Sequence, residues 1–401
     1  MPSFFTWLDY SEHDKRKMLD VVRLFRDQET RDELGIGTIR DAFADLFFPG
    51  TSTIQTRARY FLFIAWIYRD LERRRVSSSE VAHRARRMEV TLIDALLASE
   101  DHESEDSEGI IGRVARGALQ RLPSSIYWHG LRTWGIRFFQ GSQAQYHQSL
   151  DGFYRREKRQ RLLDEEEVLD LRPHWHDGLP ASPERFPWEA SLRLTLEESI
   201  YLKERILSRV PRTLLAFLVD KGQPTHRLPF VWQHPQLPDF PERIRQPLAQ
   251  ARHCSEAFHG AALLYNLMLA EQAERSSLID DYEVQLDTWA SAMESHAEAQ
   301  HTWNREVFWR IVLDVNPNIP IPSRRFVDTW LDLAETAPRD VPHSQAARRL
   351  IEDRERTLKR NRARLGNRRL LELWNGAAGT GPLDYRWRVV QKIIADILQP
   401  R

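Results

Sequence analysis

The sequence contains a single cysteine, Cys254, so it has no disulfide framework, and a reducing compartment is expected. It also lacks a long apolar run. The longest, "YFLFIAWIY" (Tyr60–Tyr68), is well short of the roughly 20 residues that a membrane-spanning helix requires. The opening residues "MPSFFTWLDYSEHDKRK" carry charge early and have no signal-peptide core. A cytoplasmic protein with no membrane partner is predicted. Net charge is zero at pH 7, so no global field draws the chain onto a polyanion. No phosphate-loop pattern G-x-x-x-x-G-K-S/T is present, which argues against nucleotide binding, and there is no G-x-S-x-G, H-E-x-x-H, kinase or deaminase signature. No cofactor and no metal site are expected.

Lysine is also scarce: seven of the 58 cationic residues, leaving arginine to supply the rest. Arginine presents a planar fork suited to phosphate and carboxylate, although a GC-rich coding sequence would produce the same bias. With 41% hydrophobic and 29% charged residues over 401 positions, the chain has ample core material for two or three domains.

Helical periodicity dominates, and the expected class is all-α, with several helices in two or three domains and little or no β-sheet. Helices are predicted over 11–28, 38–48, from the Pro49–Gly50 break to about Arg74, and over 77–99, the last with Ser77 and Glu80 at capping-box spacing. "EDHESEDSE" (100–108) has six carboxylates and no apolar residue, and reads as a solvated linker. Helices resume over 110–122, 126–139 and 142–163. "LRPHWHDGLPASPERFPW" (171–188) holds four prolines and reads as a loop. Further helices are expected after Thr195, over 241–275, 283–315, 323–337 and 344–374, and over 386–398 with Asp384 as a cap; "HRLPFVWQH" (226–234) is the best strand signal. The domain reading is therefore 1–99 helical, 100–108 linker, 109–170 helical, 171–190 Pro-rich loop and 191–401 helical.

The segments "FTWLDYSE", "RDELGIGTIRDAFADLFFPGTSTIQTRARYFLFIAWIY", "LTLEESIYLKERI", "HGAALLYNLMLAE" and "LELWNGAAGTGPLDYRW" resemble an uncharacterised bacterial domain-of-unknown-function family. The resemblance covers nearly the whole chain, and its opening block is the most specific part. It implies genes beside helicases and phospholipase-D-type nucleases in phage-defence islands, and hence a subunit of a nucleic-acid-directed system with helicase or nuclease partners. It brings no catalytic motif.

Four groups of residues are candidates for chemistry. In "FFPGTSTIQTRARYF", the hydroxyls of Thr51, Ser52 and Thr53, the amides of a helix start, and Arg57 and Arg59 are able to hold a phosphate. The structural alternative has the hydroxyls capping their own backbone and the arginines pairing with Asp41 or Asp45. "RRLIEDRERTLKRNRARLGNRR" (348–369) carries ten cations against three carboxylates. Its Lys359, Arg360, Arg362, Arg364, Arg368 and Arg369 are the strongest candidates for backbone contact with DNA or RNA, which confers affinity rather than sequence specificity. An acidic partner or the chain's own acidic linker is the alternative. "RHCSEAFH" (252–259) has the R-x6-H spacing of the helical ribonuclease family abbreviated HEPN, making Arg252 and His259 a catalytic alternative; the spacing returns both residues to one helix face, and helix–helix packing explains it equally. "PHWHD" (173–177) offers His174, His176 and Asp177 as metal donors, but no complete ligand set is evident. The leading expectation is a non-catalytic scaffold or nucleic-acid-engaging subunit of an anti-phage complex. The alternatives are a metal-independent RNase and a protein–protein adaptor.

Overall fold

The computed structural model describes residues 32–99, 109–160, 172–225, 227–297 and 303–400. Among them are fourteen α-helices: α1 (Gly37–Phe47), α2 (Tyr60–Arg73), α3 (Val81–Ser99), α4 (Pro123–Thr133), α5 (Gln143–Gln160), α6 (Leu196–Arg209), α7 (Leu214–Lys221), α8 (Glu242–Gln272), α9 (Ser276–Ala297), α10 (Arg305–Val315), α11 (Ile321–Thr336), α12 (Gln345–Lys359), α13 (Arg368–Leu371) and α14 (Trp387–Leu398). The described residues contain no strand, only one isolated antiparallel bridge between Arg137 and Trp175, and the fold is all-α as expected. No helix among them is long and apolar enough to cross a membrane. Contacts divide the chain into two compact units, each assembled from separated stretches: Met1–Phe43 with Arg245–Tyr385, and Ala44–Ile244 with Arg386–Arg401. The acidic stretch 100–108 and the predicted helix 11–28 lie outside the described residues.

In the unit formed by Ala44–Ile244 and Arg386–Arg401, the apolar run becomes α2, buried on every side from Tyr60 to Tyr68. A helix that is hydrophobic all round belongs at the centre of a core. Helices α3 and α4 pack against it, with Phe61 stacked on Trp134 at 3.9 Å between centroids. A Cβ on Gly130 would stand 2.3 Å from the Gly50 carbonyl oxygen, so only glycine permits α4 to approach the Pro49–Gly50 turn this closely. Helix α6 starts at the predicted Thr195, in a full capping box with Glu198, and packs on α7 and α14.

In the unit formed by Met1–Phe43 and Arg245–Tyr385, α8 is the long predicted helix with Pro247 near its start. The buried indoles of Trp289 and Trp330 donate to the Glu256 and Ala257 carbonyls of α8 at 2.8 and 2.9 Å, so these tryptophans anchor the core. The glycine-rich "NGAAGTG" is a turn docked on Asn266. Its side chain accepts from the Ala378 amide at 2.7 Å and donates to the Ala378 carbonyl at 2.8 Å.

Several local expectations are corrected. The helix after Pro49–Gly50 begins only at Tyr60, because Thr51–Arg59 forms turns tied to other elements. In 110–122 there is a single 3-10 turn, Arg116–Ala118, and α4 stops at Thr133 rather than Phe139 because Gly135 takes φ +66°. The 226–234 segment holds a 3-10 turn, Val231–Gln233, in place of a strand. The expected 283–315 helix is two, α9 and α10, and 344–374 breaks after Lys359, where Arg360 adopts φ +52°. Asp384 does not cap α14; Arg386 occupies the cap position and makes no side-chain capping bond.

Candidate functional site

The Thr51–Arg59 loop is wired internally. Thr51 Oγ1 donates to the Phe48 carbonyl at 2.6 Å, Ser52 is half-buried, and only Thr53 of the three hydroxyl residues is exposed. The amides a phosphate would need are occupied: Phe61 N donates to Ala58 O at 3.1 Å, and Ala58 N to the Asp396 carboxylate at 2.9 Å. Arg57 pairs with Asp396 at 2.8 Å. Arg59 is buried, with its guanidinium 2.7 Å from Glu198 and 2.8 Å from the Ser191 carbonyl. The arginines do pair with carboxylates, but with Asp396 and Glu198, remote in sequence, rather than Asp41 or Asp45. Asp45 instead receives Arg386 at 2.6 Å.

The basic C-terminal segment divides into two sets. Glu355 is fully buried and accepts from Tyr265 Oη at 2.5 Å, Lys359 Nζ at 3.0 Å and the amides of Arg364 and Leu365 at 3.0 and 2.9 Å. Burial opposes its ionisation, yet these donors together hold its carboxyl below the usual carboxylate range. Lys359 also bonds Glu33, and Arg364 meets Glu33 at 3.2 Å. Arg354 is buried against the Leu34 and Gly35 carbonyls and Ser323, and Arg348 forms a bidentate pair with Glu271. Lys359 and Arg364 thus belong to the interior network. Arg360, Arg362, Arg368 and Arg369 are exposed and make no side-chain hydrogen bond or ion pair with a described residue. The φ +52° turn at Arg360 and the short α13, capped by Asn367, present these four within ten residues.

Arg252 and His259 are engaged separately. Arg252 pairs with Glu256 on its own helix at 2.7 Å, and the half-buried His259 has its pKa lowered by burial, offset in part by a hydrogen bond to the Thr380 backbone. Of the suggested metal donors, His174 bonds Glu72. No group of three His, Cys, Asp or Glu side chains suited to a metal ion occurs among the described residues.

One concavity among the described residues was not predicted. A cavity of about 1240 Å³ in the Ala44–Ile244 unit is lined by Arg132, Arg137, Arg172, Arg209, His129 and His174 among others, with no carboxylate among the described residues of its wall. Its geometry starts at the end of α4. Gly135 N bonds Arg132 O and Ile136 N bonds Leu131 O, both at 2.9 Å, forming a Schellman turn that reverses the chain. A Cβ on Gly135 would stand 2.9 Å from the Arg209 side chain. Residues 136–138 then pair with 174–176 through Phe138 N to His174 O at 2.7 Å and His176 N to Ile136 O at 2.9 Å, bringing the Pro-rich segment to the cavity wall.

Arg137 is buried, with its guanidinium 4.2 Å over the Trp128 ring and donating to the carbonyls of Trp128, Phe139 and Gly141. Burial, and next to it the charge of Arg132, lower its pKa to about 10, so it remains a cation at neutral pH. It also donates to the Trp128 carbonyl within α4, tying the turn back to the helix. Behind the wall, Glu72 accepts from Tyr146 Oη at 2.5 Å, His174 Nδ1 at 2.8 Å and Trp175 Nε1 at 3.2 Å. Burial and the neighbouring Glu72 raise the Tyr146 pKa well above normal, so its hydroxyl keeps the proton it donates. Nδ1 of His174 faces a carboxylate acceptor, which leaves Nε2 as the ring nitrogen with no partner among the described residues. Arg132 and Arg137 are five residues apart and would diverge on the continuous helix predicted over 126–139. Gly135 after a helical run is the sequence sign that they do not.

Among the described residues these features define a helical protein with an exposed arginine cluster and an arginine-lined cavity. The chain belongs to a family of unknown function (DUF6361), whose model matches residues 2–399. No curated protein and no solved structure matches it.

Proposed function

We propose that this chain is a non-catalytic, cytoplasmic subunit that grips the nucleic-acid backbone within an anti-phage assembly whose chemistry is performed by a helicase or nuclease partner. The observation that carries this reading is the set Arg360, Arg362, Arg368 and Arg369, exposed within ten residues and unneutralised by any described side chain. Guanidinium groups so placed suit successive phosphates and read no bases. The partner assignment rests on the family resemblance.

Salt-dependent binding of labelled DNA and RNA oligomers tests the reading. Each phosphate contact contributes a slope of about −0.9 in log K against log salt for duplex DNA. Replacing all four arginines by Gln is expected to reduce the slope by about 3 to 4. An unchanged slope sinks the proposal.

A protein–protein adaptor is the second reading, favoured by Leu358 and Leu373 beside the cluster, exposed to 40% and 70%. A tagged pull-down from the native host, with and without nuclease treatment, separates the two. Partners that survive nuclease and are lost in Leu373→Glu, together with no oligonucleotide binding, would establish the adaptor.

A further inference from the structure

We infer that the arginine-lined cavity is a binding site for a small phosphorylated ligand carrying an aromatic ring, a nucleotide being the nearest common chemistry. Three observations converge on this class. First, the described residues supply no counter-charge: Arg132, Arg137 and Arg209 meet no carboxylate among them, and Arg132 and Arg137 are near enough to repel. Two like charges held together in one wall favour an anion between them and the solvent. The helix end that would repel an anion is muted, since turn amides take the Gly130, Leu131 and Arg132 carbonyls.

Second, the cavity is built. Arg137 is held by three carbonyls and an indole face, and Glu72 orients His174 so that one ring nitrogen remains for a ligand. Its volume of about 1240 Å³ far exceeds what an inorganic anion fills and exceeds a typical small-molecule pocket of roughly 300–1,000 Å³. Third, the wall offers aromatic surface beside the cations. Phe138 is 37% exposed and Phe139 also lines the cavity. In this arrangement Arg132 and Arg209 take the phosphates, His174 Nε2 supplies a further polar contact, and Phe138 and Phe139 face the ring. No phosphate loop is involved. Guanidinium forks replace the amide cradle.

Calorimetric titration of the full chain with ADP, pyrophosphate and adenosine tests this. ADP is expected to bind at least tenfold more tightly than either fragment, and Arg132→Gln with Arg209→Gln, both exposed residues, should weaken it at least tenfold without altering the melting temperature. His174→Gln is expected to weaken ADP and leave adenosine unaffected. The Arg360, Arg362, Arg368 and Arg369 to Gln variant should retain full ADP affinity, which separates this site from the nucleic-acid surface. Absence of ADP binding up to millimolar concentration overturns the inference. So does binding that survives the Arg132 and Arg209 substitutions, or pyrophosphate binding as tight as ADP.

Discussion

The 348–369 segment and the cavity wall around Arg137 are both rich in arginine, but they differ in what neutralises them. In the first, the densest basic stretch of the chain, Arg348, Arg354, Lys359 and Arg364 are bound to Glu271, backbone carbonyls, Glu33 and Glu355. In the second, fewer arginines line the wall, and Arg132, Arg137 and Arg209 meet no carboxylate among the described residues. Local density of charge is therefore a poor guide to available charge. What matters is whether the fold delivers a carboxylate, and two of those here come from far along the chain, Glu271 from 77 residues away for Arg348 and Glu33 from 331 residues away for Arg364.

The strongest way to break the contrast is at Glu355. Glu355→Ala removes the acceptor for Tyr265, Lys359 and two amides, and is expected to cost about 3–5 kcal/mol, measured by chemical denaturation. A loss below about 1 kcal/mol would mean that the network is dispensable.

Glu89 sharpens the contrast between buried carboxylates. It is fully buried, receives only Ser124 N and Oγ, and is pushed up to about 7 by burial. A folded pKa above the unfolded value means that the folded state holds the proton more tightly. Glu89 therefore lowers stability as pH rises from about 4.5 to about 7, by roughly 3 kcal/mol in all. Glu89→Gln should flatten that window. Glu355, with its pKa lowered, acts in the opposite sense, and its stabilisation is lost as pH falls below the usual carboxylate range. Stability curves against pH for wild type and Glu89→Gln that run parallel would refute the assignment.

Arg137→Met should have a smaller effect. It preserves packing on Trp128 and strands no carboxylate, but it leaves the Phe139 and Trp128 carbonyls short of a donor; about 1–3 kcal/mol is expected. The same substitution at Arg59 would strand buried Glu198 and should cost more. Smallest of all, single Gln substitutions at Arg360, Arg362, Arg368 or Arg369 should change stability by no more than about 0.5 kcal/mol, in keeping with exposed side chains that make no hydrogen bond or ion pair with a described residue.

Much of the fold was legible in the sequence. The all-α class, α1, α8 and the capping box at Thr195 follow from apolar periodicity and local side-chain-to-amide bonds, which act over three or four residues. The errors are also local in origin. Arg360 and Gly135 end helices through positive φ, and in the first case a non-glycine does so with no warning in the sequence. The site was harder to read. Exposure of Arg360, Arg362, Arg368 and Arg369 agrees with the dense basic run, whereas Arg57, Arg59, Lys359 and Arg364, read from the same kind of signal, are taken up by Asp396, Glu198, Glu355 and Glu33.

The sequence by itself determined the all-α class, most of the helices and that arginine is the dominant cation, because helix period and composition are properties of short stretches. Only the tertiary structure decided which arginines keep an unpaired charge. That depends on pairings such as Arg57 with Asp396 and on the meeting of residues 136–138 with 174–176, where Coulomb and hydrogen-bond energies act through space between residues that chain order leaves far apart.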